Sequence, residues 1–196
     1  MTSKELLDRR AVVARLLSDR GDVVVIAGLG APSYDVAAAG DHDRNFYLWG
    51  AMGGAAMVGL GLALAQPNLP VLVVTGDGEM LMGMGGFATI ALQNPGNLTI
   101  AVLDNGLYGE TGGQASHTAG GTDLTGVARA CGIADARTLT TMPEVDALAA
   151  RVHAPAEGPT VATIKIDPAE PTRALPSRDG VFLKARTRRA LGFDSM

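Results

Sequence analysis

Apolar residues along the chain fall into two patterns, unbroken runs and recurrences every three or four positions. Leu6, Leu7, Val12, Val13, Leu16 and Leu17 recur at helical spacing within residues 4–18, and the apolar run from Asp22 to Ala27 follows, which predicts a helix and then a strand. After a Gly- and Pro-containing loop at 28–33, the glycine-studded stretch 51–65 predicts a buried helix, and Pro70 to Thr75 reads as a second buried strand. A helix over 84–93, a strand over 98–103 and a Gly-rich loop from 105 to about 122 come next. Helices at 123–131 and 143–152 and a strand at 160–166 complete the regular core; beyond Pro168 an extended crossing leads into a short helix over 184–192. Continuous Val/Ile/Leu strands separated by helices imply the α/β class, with a parallel sheet flanked by helices on both faces.

Composition narrows the picture. The 196 residues suit a single domain over 1–196, with 47% hydrophobic residues, 18% charged residues and 26 glycines, a profile that excludes a disordered chain. A net charge of −4 argues against nucleic-acid binding, which needs concentrated Lys and Arg. The basic cluster Lys184, Arg186, Arg188 and Arg189 reads as a solvated helix face. One cysteine, Cys131, can form no internal disulfide; it reads as buried filler and points to a reducing, cytoplasmic setting. The chain opens on a charged helical pattern without an apolar signal core, and 51–65 is shorter than the roughly 20 residues of a membrane crossing, so neither export nor a membrane is expected. His42 and His153 read as bystanders.

In parallel sheets ligands collect at the carboxyl ends of strands, and two of those ends carry suggestive chemistry. One strand runs into Gly76-Asp77-Gly78-Glu79, and another ends in Asp104-Asn105-Gly106. A carboxylate, a carboxamide and a free loop carbonyl are the hard oxygen donors that Mg²⁺ prefers, with waters or phosphate oxygens completing its octahedron. Glycines beside the Asp let backbone amides approach a phosphate, and the following helix directs its positive end there. The expected ligand is a magnesium diphosphate.

Gly76-Asp77-Gly78, closed further along by Asn105, resembles the signature of thiamine-diphosphate-dependent enzymes, a Gly-Asp-Gly completed by Asn-Asn. The chain departs from it in having Asp104 before Asn105, although the metal ligand of the family corresponds to the second position. The resemblance implies a thiamine-diphosphate-binding fold in which Asp77, Asn105 and the Leu107 carbonyl hold Mg²⁺. Gly76, Gly78, Glu79 and Tyr108 would then line the cofactor, with the amides of Gly78 and Glu79 on the diphosphate. Gly50-Ala51-Met52-Gly53-Gly54 matches the segment where related enzymes carry an apolar residue that bends the cofactor, which implies Met52, with Gly53 beside it. The loop Asn105 to Thr118 is similar to that of sulfopyruvate decarboxylase beta subunits and the C-terminal half of phosphonopyruvate decarboxylases. Within it Glu110 and His117 are candidates for proton transfer, and Gln114, Ser116 and His117 for substrate contact.

The similarity also takes in Pro32-Ser33, Asn45-Phe46-Tyr47 and the closing helix, and thus nearly the whole chain. It implies a decarboxylase of a short anionic 2-oxoacid, releasing the aldehyde and CO₂. The glutamate that the family draws from a pyrimidine-binding domain has no counterpart among Glu5, Glu79, Glu110, Glu144, Glu157 and Glu170. The resemblance therefore implies a partner alpha subunit in a hetero-oligomer, with the glycine-rich helix 51–65 available either to an interface or to packing on the sheet. A carboligase of acetolactate-synthase type and a non-catalytic cofactor-binding subunit share the same motifs and remain open.

Overall fold

A computed structural model describes residues 6–154 and 156–193. Six strands form one parallel sheet: β1 (Val24–Ala27), β2 (Asn45–Tyr47), β3 (Val71–Gly76), β4 (Leu98–Asp104), β7 (Asp135–Leu139) and β8 (Thr160–Lys165), in the order β2-β1-β3-β4-β8-β7. A two-stranded hairpin, β5 (Leu107–Tyr108) and β6 (Gln114–Ala115), stands apart from it. Eight helices accompany the strands among the described residues: α1 (Arg9–Leu17), α2 (Ala31–Ala38), α3 (Ala55–Ala65), α4 (Asp77–Met82), α5 (Gly86–Gln93), α6 (Leu124–Ala130), α7 (Met142–Val152) and α8 (Gly180–Ala190).

Because successive strand residues face opposite sides, each central strand feeds two cores. Leu72 and Val74 of β3, with Ala101 and Leu103 of β4, pack beneath α1, α2, α7 and α8. Val71 and Val73, with Leu98, Ile100 and Val102, pack beneath α3, α4, α5 and α6. The expected parallel sheet with helices on both faces is what the structure has.

Several boundaries differ from the sequence reading. The helix expected over 4–18 begins at Arg9, because the Asp8 side chain caps it by accepting the Ala11 N–H at 2.7 Å. Residues 4–5 lie outside the described residues, and Leu7 instead forms a parallel bridge with Ile166. The stretch 51–65 becomes helical only at Ala55, after Gly50 and Gly53 adopt φ of +72° and +91°. It is not buried all round, since Met57, Val58 and Leu64 are exposed. The helix expected at 84–93 starts at Gly86, with the separate helix α4 before it.

Helix α2 and the short strands β2 and β7 were not anticipated. β7, Asp135-Ala-Arg-Thr-Leu, is an edge strand with one partner, so its polar positions can face outward and no apolar run marks it. The basic cluster is not wholly solvated either: Arg186 turns inward, pairs with Asp41 at 2.7 Å and lies over the Tyr47 ring. Cys131 is half-buried rather than buried. Among the described residues no helix is long and apolar enough to cross a membrane.

The strand order places the ligand crevice. From β1 the chain passes to β2 on one side, whereas from β3 it passes to β4 on the other, so the loops leaving the carboxyl ends of β1 and β3 diverge and leave a gap between them.

Helix α5 offers a direct check of the two-layer packing. Phe87 is fully buried in the second core whereas Leu92 on the same helix is 81% exposed. In urea denaturation, Phe87→Ala is expected to lower the unfolding free energy by about 3–5 kcal/mol, and Leu92→Ala to change it by less than about 0.5 kcal/mol.

Candidate active site

The register of β3 on β4 sets Gly76 opposite Leu103, which brings Asp77 and Asp104 to the same end of neighbouring strands. Asp77, the first residue of α4, is only 1% exposed. Its Oδ2 accepts hydrogen bonds from Ser116 Oγ at 2.5 Å and Thr118 Oγ1 at 2.9 Å. Thr118 Oγ1 also lies 2.8 Å from Asp104 Oδ1, and one hydroxyl has one proton, so the two acids compete for it. Asp104 is relieved by the Lys165 ammonium, from the residue paired with it on β8, and by the Gly106 N–H at 3.2 Å. Asp77 has no such relief: among the described residues it forms no ion pair with a lysine, arginine or histidine. Burial pushes its pKa up; the two hydroxyls work against that shift, while the Asp104 charge adds to it.

The loop after β4 folds back to supply those hydroxyls. Asn105 Oδ1 accepts the Leu107 N–H at 3.0 Å, Gly106 takes φ of +72°, and the hairpin returns the chain so that the Ser116 N–H reaches the Gly106 carbonyl at 2.8 Å. Ser116 is consequently 3% exposed and turned to Asp77 rather than to the open side of the loop. Tyr108 lays its ring on Gly78, where an added Cβ would lie 2.7 Å from Cδ1, and its hydroxyl meets His117 Nδ1 at 2.5 Å. The exposed Gln114 bonds to Thr111 within the hairpin tip, and Glu110 lies across Gly30 at the start of α2.

These residues line one side of an open cleft. Met52, Asp77, Asn105, Leu107, Tyr108 and Glu110 all contribute to its wall. Gly53 stands beside Met52 against Met82 and Gly83. Gln114, Ser116 and His117 are not part of that wall.

Sequence reasoning missed the remaining wall. Asp35, buried on α2, is held between Arg9 at 2.7 Å and Arg10 at 2.6 Å, and burial raises its pKa against the pull of both guanidiniums. Arg173, from the segment after β8, stacks over Tyr34 with its guanidinium carbon 5.4 Å from the ring centroid. Charged residues on a terminal helix and an irregular crossing carry no local sign that they converge.

The oxygen donors at hand suit a hard cation. No cluster of three His, Cys, Asp or Glu exists among the described residues, so an ion here would rely on one carboxylate supplemented by carboxamide and main-chain oxygens. Gly76 and Gly78 also line the cleft, at the start of α4.

A parallel α/β sheet with a ligand cleft at the reversal of strand order and a buried, cation-poor aspartate at its base defines a cofactor- or metal-binding domain. Residues 30–165 match the profile of the thiamine pyrophosphate enzyme, C-terminal TPP binding domain, and the chain belongs to that family. It is 42% identical over 162 residues to a phosphonopyruvate decarboxylase of Streptomyces viridochromogenes, covering 82% of this chain and 40% of that protein. It is 43% identical over 127 residues to sulfopyruvate decarboxylase subunit beta of Methanothermobacter thermautotrophicus, covering 65% of this chain and 68% of that subunit. This chain thus spans well under half the length of the phosphonopyruvate decarboxylase. Among solved structures, benzoylformate decarboxylase from Polynucleobacter necessarius shares the fold with a TM-score of 0.67 at 22% identity, over 81% of this chain and 33% of that one. A 2-oxoglutarate:ferredoxin oxidoreductase from Magnetococcus marinus does so with a TM-score of 0.63 at 21% identity, over 95% and 76%.

Burial raises the pKa of Asp77 and Glu79 above their ordinary 3.8 and 4.5, so the ligand-free fold holds these protons more tightly than the unfolded chain. Their contribution to stability is greatest below those ordinary values and declines as pH rises toward the raised folded values. Asp77→Asn removes one of these two buried charges. Its urea midpoint, relative to wild type, is expected to improve between about pH 4 and pH 7, whereas an unchanged difference would show that the Asp77 charge carries no burial penalty.

Proposed function

We propose that this chain is the diphosphate-binding beta subunit of a split thiamine-diphosphate-dependent decarboxylase acting on a short anionic 2-oxoacid of the sulfopyruvate or phosphonopyruvate type. The observation that carries the reading is Asp77, a buried carboxylate without a cationic partner, set beside Asn105 in a chain similar to decarboxylases of both substrates. Mg²⁺ would supply the missing positive charge, held by Asp77, Asn105 and the Leu107 carbonyl. Ser116 and Thr118 keep the Asp77 carboxylate oriented, leaving its remaining oxygen capacity for the metal.

Thiamine diphosphate, when bound, supplies the electron sink for cleavage of the bond to the departing carboxylate. The chain's own tasks are binding, orientation and proton transfer. Amides of Gly78 and Glu79 would receive the diphosphate at the start of α4, with Gly76 and Tyr108 alongside, and Met52, with Gly53, would support the ring end. Glu110, which lies on Gly30 at the cleft wall, and His117, whose ring meets the Tyr108 hydroxyl outside that wall, would move a proton or meet the substrate's anionic group. Gln114, at the hairpin tip, is a further substrate contact once the loop packs against a partner.

The cleft is open, and a pyrimidine-binding alpha subunit would close it in a hetero-oligomer. A reducing, cytoplasmic setting suits the single cysteine.

The test is CO₂ release from sulfopyruvate, phosphonopyruvate and pyruvate with Mg²⁺ and thiamine diphosphate, comparing the chain alone with the chain co-expressed with the product of the adjacent reading frame. Activity is expected only in the co-expressed sample and only on the anionic substrates, with Asp77→Ala lowering kcat/KM by about 10²-fold or more. Cofactor binding without CO₂ release, but with products from an added acceptor aldehyde, would move the assignment to a carboligase. Binding without any turnover would leave a non-catalytic subunit.

A further inference from the structure

Glu79 is 5% exposed, two residues beyond Asp77, and its carboxylate is the meeting point of several chain segments. Thr75 Oγ1, at the end of β3, donates to Oε2 at 2.8 Å. The Ala55 N–H, at the start of α3, donates to Oε1 at 3.4 Å. The N–H groups of Gly53 and Leu29, from the loops before α3 and after β1, face the carboxylate closely enough to favour its charged form. Gly28 belongs to the same contact, since a Cβ there would stand 1.8 Å from Oε2, closer than any side chain allows. Among the described residues it forms no ion pair, so the carboxylate relies on main-chain N–H groups and one hydroxyl, as a bound anion would in a backbone nest.

The arrangement has a mechanical consequence. Met52 immediately precedes Gly53, and Leu29 lines the cleft with Asp77. Gly50 and Gly53 both take positive φ, and within the segment the Gly54 N–H reaches the Ala51 carbonyl at 3.0 Å. The Glu79 carboxylate adds a tie from the end of this segment, at Ala55, to the end of β3, at Thr75.

We infer that Glu79 is a positioning residue, an internal anion that fixes the Met52 segment and the loop after β1 relative to Asp77 and so sets the cleft's span from its diphosphate end to its ring end. Glu79 lines the cleft, and its side chain acts through Met52 and Leu29. This rests on the reading of the cleft as the thiamine-diphosphate site.

The test uses the full chain and its Glu79→Gln variant, in which one acceptor oxygen becomes an NH₂ group facing other N–H donors. Two readouts are needed. In ligand-free hydrogen exchange, the amides of Leu29, Gly53 and Ala55 are expected to exchange about tenfold faster or more in the variant, with Ile100 in β4 unchanged. In calorimetric titrations with Mg²⁺, affinity for thiamine diphosphate is expected to fall about tenfold while affinity for inorganic pyrophosphate stays within about twofold. A general weakening of the fold would lower both affinities together. Parallel losses, or no loss in either, would overturn the inference. If the wild-type chain binds neither ligand, alone or co-expressed with its partner subunit, the cofactor reading falls and the positioning role falls with it; if it binds both and the variant matches it in the same state, only the positioning role falls. Should Glu79→Gln fail to fold, Thr75→Val removes one donor and keeps the carboxylate. It is expected to show the same selective loss at smaller size, and unchanged exchange and affinities in that variant would reject the role of Glu79.

Discussion

The buried charge of Asp77 is the constraint on which the site depends. A carboxylate taken out of water must be given hydrogen bonds or a counter-charge, and here it has two hydroxyls and, among the described residues, no cationic side chain paired with it. The surrounding chain is organised around that incomplete compensation. The β5–β6 hairpin brings Ser116 and Thr118 to it, and Lys165 settles the neighbouring Asp104 so that its charge does not have to be accommodated by the same groups. Asn105 extends the oxygen surface beside it. An ion held here would have a single carboxylate among the described residues, which suits one that arrives with phosphate oxygens of its own.

Close backbone approach is the second theme. Gly28 is pressed on Glu79, Gly78 on Tyr108 and Gly30 on Glu110, so each glycine marks a place where a side chain crosses the main chain at the cleft wall. The glycine content thus has a local cause. It lets loops from the ends of β1, β3 and β4 pack within reach of one another, where side-chain bulk would hold them apart.

Much of the fold was legible because burial on both faces demands unbroken apolar strands. β1, β3, β4 and β8 each stand out as such runs, and the helices between them follow from periodicity. The edges were not legible. β2 has three residues, β7 alternates with polar positions, and both take their strand character from a single neighbour already in place. α2 and α4 are short and begin at glycines without a side-chain cap, so no capping signal announces them.

At the site the same division holds. Asp77, Asn105 and Met52 were readable because each lies in a short motif next to a strand end or glycine turn, where the local chain restricts what it can do. The sheet order, set by which strands find each other across long sequence separations, decided that Asp77 and Asp104 would compete for one hydroxyl. It likewise turned Ser116 toward the Asp77 carboxylate, and drew Arg9, Arg10 and Arg173 to one cleft from opposite ends of the chain. Local motifs encode chemistry that neighbouring residues can hold; the pairing of charges far apart in the chain depends on packing, and only the assembled sheet specifies it.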